Sequence, residues 1–593
     1  MRKTILLLLL WPGIHFGFGQ TGGAPGQPSR QPASRSGQPV STSGQPVSTS
    51  GQPVLVKKNG YTQLLVDGRP FVAVAGELHN STSSGTAYFS RALKYARSMN
   101  INTVIATVSW EQFEPQEGKY DYQLVDTIIQ KAAAENLKLV LIWFASWKNG
   151  ESAYAPAWVK ADPKRFVRVK TRSGVDVHTI SPFCTAAMQA DAKAFSMLMK
   201  RIKEKDARHN VIMMQVENEV GAFSEMDYNE EALKLYGAPV PAGLIDYVSK
   251  NENTLAPELR DAWVKNGRRT KGNWAAVFGE DNYDAQNFFM SWQYATYINR
   301  VCEAGKKEYA IPMYVNCWLV QHPGERPGEY PNGGPVSRVM DIYKAAAPAI
   351  DFCSPDIYLK NFREICQMYY RPEKNNPLFI PECEGDNPGK AYYAIGECNA
   401  IGFSPFGVES LAADRSYAQS FAVLEEMMPL IRQYQGTGKM RGVLKEGAKD
   451  KDTLIMGQYE IEVRYRAKDQ DCYGIIVQTG EDEFVVGGIN LQLKFRCKDE
   501  RRTALVGQVQ EGSMKGGRWE TIRLLNGDES GSDYTANVPG RYYYTTIGKE
   551  SFTAEAAWVH VPGLDSVTEG GVTKYLVKAP GVYKVSVLTV AVL

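Results

Sequence analysis

Two apolar runs in this chain of 593 residues end in carboxylates. The first is Val211-Ile-Met-Met-Gln-Val-Glu217-Asn218-Glu219-Val-Gly221, the second Pro377-Leu-Phe-Ile-Pro381-Glu382-Cys-Glu384-Gly385. Short apolar runs of this type, followed soon by glycine, read as buried strands that stop at a turn. Carboxylates at the C-terminal mouths of parallel strands are where barrel enzymes keep their chemistry. A pair drawn from two different strands is what cleavage of a glycosidic bond requires. One acid protonates the leaving oxygen, and one carboxylate meets the developing oxocarbenium centre. Glu217 and Glu219 are two residues apart, so a continuing strand would point both the same way. The backbone turns there, and periodicity does not choose between them. Clustered like charges at a buried mouth raise at least one pKa, as a general acid at neutral pH needs.

The elements that must hold these residues follow from the pattern. Strands are expected at Phe71–Gly76, Thr103–Val108, Lys138–Phe144, Val211–Val216, Pro312–Val315, Ala349–Cys353, Leu378–Ile380 and Ile401–Phe403. Amphipathic helices are expected near 87–99, 124–135, 186–205 and 412–434. Such alternation implies a parallel sheet, and eight units imply an α/β fold of the (β/α)8 TIM-barrel type. An open doubly wound sheet is the alternative, but Gly76-Glu-Leu-His-Asn80 is not its Gly-rich phosphate loop. A polar stretch at 222–282 interrupts the repeat and reads as a lid or rim insertion over the mouth. The barrel is expected over 54–437. From 438 to 593 short alternating runs separated by turns such as Asn526-Gly527 and Pro539-Gly540 read as an accessory β-sandwich.

The remaining signals bound the setting. Arg2 and Lys3 before Ile5–Leu10 read as a secretory signal peptide over 1–19, too short to span a bilayer, so export to the periplasm or the medium is expected. Residues 20–53, rich in Gly, Gln, Pro and Ser, read as a disordered tether. The net charge is +2 without a basic run, which argues against nucleic acid as partner. The nine cysteines form no CxxC pair and read mostly as buried free thiols, and the six histidines show no ligand spacing, so no metal is expected.

Val211 to Gly221 resembles the Gln-x-Glu-Asn-Glu-x-Gly signature of glycoside hydrolase family 35, the β-galactosidases of a large retaining barrel clan. Asn102 to Tyr122, with Trp110, Glu114-Pro115, Gly118 and Asp121, is similar to that family's second strand and the loop after it. The segment 377–385 and the C-terminal β region resemble a bacterial branch of the family. The resemblance implies Glu219 as acid/base and Asn218 as the partner of the sugar 2-hydroxyl. It implies Glu382 as nucleophile, with Glu384 the alternative, and Tyr358 as the hydroxyl that holds it. Retention would set the two carboxyls about 5–5.5 Å apart. Trp147, Lys148 and Asn149 are expected to line the sugar pocket, with Glu77, His79, Asn316 and Trp318 further candidates. Trp110 reads equally as a core ring or a platform. No cofactor is implied. Where many members carry Cys-Ala-Glu-Trp after the third strand, this chain has Phe144-Ala-Ser146-Trp147, and Thr107 replaces an aromatic residue. The implied reaction is hydrolysis of terminal β-galactosides of plant-type glycans such as xyloglucan side chains. Another β-glycoside, sugar transfer, or mere carbohydrate binding on a degenerate barrel are the alternatives.

Overall fold

The computed structural model describes residues 51–591 apart from 281–282, 414, 469, 526, 528–530, 533–534, 539–540, 547–565 and 570–571. The expected signal peptide, residues 20–50 of the expected tether, Asn526 and Pro539-Gly540 lie outside the described residues.

Eight parallel strands form the barrel: β1 (Ala73–Glu77), β2 (Thr103–Ser109), β3 (Lys138–Lys148), β4 (Val211–Asn218), β5 (Met313–Cys317), β6 (Phe352–Ile357), β7 (Phe379–Ile380 and Glu382–Cys383) and β8 (Gly402–Phe403). Each is followed by an outer helix: α1 (Thr86–Ser98), α2 (Gln123–Ala134), α3 (Thr185–Lys205), α4 (Tyr283–Glu308), α5 (Met340–Ala346), α6 (Phe362–Tyr369), α7 (Gly389–Glu397) and α8 (Arg415–Tyr434). The strands read as unbroken apolar runs because both faces are covered. Along β3, Leu139, Leu141, Trp143, Ala145 and Trp147 belong to the layer under the helices, whereas Val140, Ile142 and Phe144 fill the barrel interior.

Closure depends on Pro381. The first half of β7 pairs with β8, which pairs with β1; the second half pairs with β6. Proline has no N–H to give either neighbour, so the ladder changes partner at that residue. The sheet is thereby closed, not open. The switch also sets Glu382 beside Asp356 in register. At the other end of the barrel a three-stranded antiparallel sheet (Val54–Lys58, Tyr61–Val66, Arg69–Phe71) inserts Leu64 and Val66 into the interior core.

The stretch 222–282 contains four short helices, Glu230–Gly237, Ala242–Asn251, Pro257–Lys265 and Trp274–Phe278. The expected lid packs on the outer helices α4 and α5. It is tied there through Asp341, which accepts from Tyr247 Oη (3.0 Å) and Ala256 N (2.7 Å).

After α8 the chain forms antiparallel sheets. A six-stranded sheet (Met440–Leu444, Tyr473–Gln478, Glu483–Ile489, Gly581–Ala591, Arg502–Lys515, Arg518–Leu524) faces a five-stranded one, with Ile461, Val463, Ile476, Phe484, Leu493 and Val585 between them. The other face of the larger sheet sends Ile475, Val477 and Val485 into the core under α7 and α8. The backbones touch there: a Cβ on Gly396 would lie 2.8 Å from Gly442 Cα. Arg363 of α6 adds a bidentate pair with Asp452 at 2.8 and 3.0 Å. Barrel and sandwich therefore share packed apolar surface. Among the described residues no helix is long and apolar enough to cross a membrane.

Candidate active site

The end of β4 settles which way its two glutamates point. Glu217 and Glu219 both have left-handed backbone angles (φ +65° and +42°), uncommon for non-glycine residues. The turn breaks strand alternation and separates their side chains. Glu217, fully buried, faces the wall under β3, where Ser146 N (3.2 Å) and Trp147 N (2.8 Å) donate to it. Its other neighbour is Asp191, which accepts from Trp143 Nε1 (2.8 Å) and Ser146 Oγ (2.7 Å). Burial and Asp191 hold the Glu217 carboxyl well above the usual range, so one proton is shared between these two acids. Glu217 belongs to the scaffold.

Glu219 turns to the mouth, where four carboxyls meet: Glu77 from β1, Glu219 after β4, Asp356 from β6 and Glu382 from β7. All four are buried, at 1%, 6%, 3% and 8% exposure. Amides fix the floor. Asn316 Nδ2 donates to Asp356 (2.6 Å) and to Asn218 (3.0 Å), while its oxygen accepts from Glu219 N (3.0 Å). Gln215 Nε2 reaches Asn218 Oδ1 at 2.9 Å, and Asn218 Nδ2 reaches Asn149 Oδ1 at 3.1 Å. Lys148 also donates to Asn149 Oδ1. Tyr358, half exposed on the rim, donates its hydroxyl to Glu382 Oε1.

Charge decides protonation here. Among the described residues Lys148 is the one cation whose field is felt by Glu77, Glu219 and Glu382 together. One ammonium cannot offset four buried carboxylates, so some must stay protonated. Burial, then the Glu382 charge, pushes Glu219 up to about 7, against the pull of Lys148 and a hydrogen bond from Asp356. Asp356 is held well above the usual carboxylate range by burial and by Glu382, Glu219 and Glu77, and it is the proton donor in that bond. Burial raises Glu382 too, but the Tyr358 hydroxyl and Lys148 favour its ionised form. Glu77 is raised by burial first and Glu382 next, and its buried Oε1 has no protein partner. Tyr358 and Lys148 thus oppose burial at Glu382, whereas at Glu219 burial and the Glu382 charge prevail.

Several expected residues lie elsewhere. Trp147 is fully buried behind β3, edge-on to Tyr294 and Tyr297 with Nε1 on Ile180 O (2.9 Å), so it does not line the pocket. Glu384 is exposed, which leaves Glu382 as the carboxyl of that segment inside the cluster. His79 sits at the rim with Nε2 on Ser410 Oγ (2.7 Å), and Trp318 stands edge-on to Phe223.

Trp110 is a core ring. Its Nε1 donates to Glu114 Oε2 (2.7 Å), and Glu114 Oε1 accepts from Gly118 N (2.6 Å). The spacing of tryptophan, glutamate and glycine four apart is thus a structural clamp. Glu114→Ala is expected to cost about 1–3 kcal/mol in chemical unfolding, because the buried Trp110 Nε1 and the Gly118 N–H lose their acceptor. A loss under about 0.5 kcal/mol would contradict the clamp.

Asp356, Gln215 and Glu409 were not anticipated from the sequence. Glu409, in the turn after β8, accepts from His79 N (3.1 Å) and Thr82 Oγ1 (2.5 Å) and keeps a buried Oε2 without a protein partner. Among the described residues no group of three or more His, Cys, Asp or Glu side chains could hold a metal ion.

Parts of the chain are similar to known proteins. Residues 83–267 match the β-galactosidase model of glycoside hydrolase family 42, and residues 417–536 match a domain of unknown function, DUF5597. A β-galactosidase of Xanthomonas manihotis is 31% identical over 174 residues, 28% of this chain and 26% of that protein. The β-galactosidase-1-like protein of Mus musculus is 28% identical over 177 residues, 28% of this chain and 25% of the relative. A solved β-galactosidase from Rahnella sp. R3 has a TM-score of 0.42 at 16% identity, covering 62% of this chain and 57% of that one. The chain spans about a quarter of the length of the curated relatives it matches. The matching model is that of family 42, whereas the sequence motifs suggested family 35. Its segment carries β2 to β4 with Glu219, and in that half of the barrel the chain is akin to glycoside hydrolases of β-galactosidase type.

Proposed function

We propose that this chain is an exported, retaining exo-β-galactosidase that trims terminal galactose from plant-type oligo- or polysaccharides. The observation that carries the reading is the buried pair Glu219 and Glu382, brought from β4 and β7 into each other's field beside Lys148. In the first step Glu382, held by Tyr358, attacks the anomeric carbon while Glu219 protonates the leaving oxygen. In the second, Glu219 takes a proton from water, which releases the sugar from Glu382. Asn218, fixed by Gln215 and Asn316, binds the 2-hydroxyl in this scheme. The unpartnered oxygens of Glu77 and Glu409 offer acceptors to further sugar hydroxyls, and Lys148 and Asn149 complete the pocket. The Gln-x-Glu-Asn-Glu-x-Gly signature favours family 35 as its finer placement. The charged and then apolar run at 1–19, read as a leader, supports export.

A second reading, the same chemistry on another β-glycoside, has one specific support. Ser146 stands where many relatives place a sugar-binding glutamate, and its hydroxyl faces Asp191 in the wall. Proton NMR of a β-galactoside digest tests both. Retention and galactose specificity are expected to give β-galactose first, converting later to the α anomer. First appearance of α-galactose would exclude retention. Cleavage of β-glucosides but not β-galactosides would establish the second reading.

A further inference from the structure

A groove one contact removed from Glu219, through Phe223 and Gly150, has no part in the steps just described. It measures about 700 Å3 and is bordered by Arg172, Phe223, Glu225, Tyr283, Arg326 and Glu329. Its walls are the hairpin tip after β3, the segment after β4, the start of α4 and the loop after β5. These belong to three consecutive barrel positions at the C-terminal mouth, on the side of Glu219 and across from Glu382. The lining residue nearest to Glu219 along the chain is Phe223, four residues past it and 44% exposed. Its ring rests on Gly150, where an added Cβ would lie 2.9 Å from it, and Gly150 N donates to Glu219 O at 3.1 Å. Trp318 stands edge-on at 6.3 Å.

The walls are built in advance. Asn332 Nδ2 donates to Glu225 O, Arg172 pairs with Glu225 at 2.8 Å, and Arg326 lies over the Tyr283 ring at 5.0 Å with a 2.9 Å bond to its hydroxyl. A side chain at Gly328 would come within 2.7 Å of the Ser224 backbone, so the two loops are in contact.

We infer that this groove binds the leaving group of the glycoside as a neutral oligosaccharide, extending from the oxygen that Glu219 protonates. The inference rests on the proposed function, because only a glycosidase acid fixes the side on which the leaving group lies. The exposed Phe223 ring, planar guanidinium groups and the hydroxyls of Thr171 and Ser173 suit a sugar's alternating apolar and hydroxylated faces. Two arginines against two glutamates leave no net field to select a charged chain. The volume lies within the range of about 300–1,000 Å3 typical of ligand clefts, room for about two sugar rings.

The test compares kcat/KM on p-nitrophenyl β-galactoside with kcat/KM on β-1,4-galactotetraose and on a galactosylated xyloglucan oligosaccharide. It uses the full chain and its Arg326→Ala and Phe223→Ala variants. The ratio of oligosaccharide to aryl substrate is expected to fall about tenfold in each variant. A change under about twofold, with aryl turnover intact, would overturn the groove and leave the proposed function standing. Calorimetric binding of the same oligosaccharides to Glu382→Gln protein separates the other case. If no β-galactoside is cleaved but binding persists and weakens in the Arg326→Ala background, the groove stands as an oligosaccharide site, while the proposed function and the leaving-group assignment fall. Absence of both binding and cleavage sinks both.

Discussion

Glu382→Gly is expected to lower hydrolysis of an aryl β-galactoside by about four to six orders of magnitude. Azide is expected to restore turnover and yield the α-galactosyl azide. The size follows from the role: a nucleophile replaced by glycine leaves no covalent route, whereas the acid and the sugar contacts remain. Azide is small enough to occupy the vacated volume between Pro381 and Tyr358 and attacks the same face. Because that face is opposite the leaving group, one displacement inverts the centre. A second readout is built into the electrostatics. The Glu382 charge is the largest cause, after burial, of the rise of Glu219 to about 7. Removing that charge is expected to move the alkaline limb of the azide-rescued reaction to lower pH. Rescue in Glu384→Gly but not in Glu382→Gly would transfer the role to Glu384, although that side chain is exposed.

The barrel was legible because its strands are buried on both faces, which leaves short uninterrupted apolar runs at every turn of the repeat. What the runs do not mark is where each strand stops, and the misplacing of Trp147 and the missing of Asp356 have that origin. β3 was expected to end at Phe144 but continues to Lys148. Carried four residues further, the alternation puts Trp147 on the face of Trp143 and Ala145, under the helices, which is where it lies. β6 was expected to end at Cys353 but runs to Ile357. Its true end delivers Asp356 to the mouth by the same rule that identified Glu219 and Glu382. The choice between Glu217 and Glu219 had a different obstacle. It depends on a left-handed residue on either side of Asn218, and no residue type there announces them. Glu409 is a contact between the first and last barrel positions, through Thr82 and His79, and local pattern carries no trace of it. The close approach of Gly396 to Gly442 is likewise visible only once both elements are placed.

Glu219→Ala is expected to divide substrates by their leaving groups. A disaccharide whose leaving alcohol must be protonated is expected to lose about 10²–10⁴ in kcat/KM, the usual contribution of a positioned acid. A dinitrophenyl galactoside, whose leaving group departs as the anion, is expected to lose less than about tenfold in its first step. The pH profile follows from the protonation state. The acid must carry its proton, so wild-type kcat/KM for the disaccharide is expected to decline as pH rises through about 7, where Glu219 ionises. The alanine variant has no such group, and its alkaline limb near that value is expected to vanish. Added azide would then meet an intact galactosyl–Glu382 intermediate and open it from the leaving-group side, giving the β-galactosyl azide. The two variants are therefore expected to produce opposite anomers from one reagent, which separates the carboxyls by face as well as by rate. Equal losses on both leaving groups would remove the acid role from Glu219. The candidate would then be Asp356, which already holds a proton toward the same space, and Asp356→Asn would have to reproduce the leaving-group dependence.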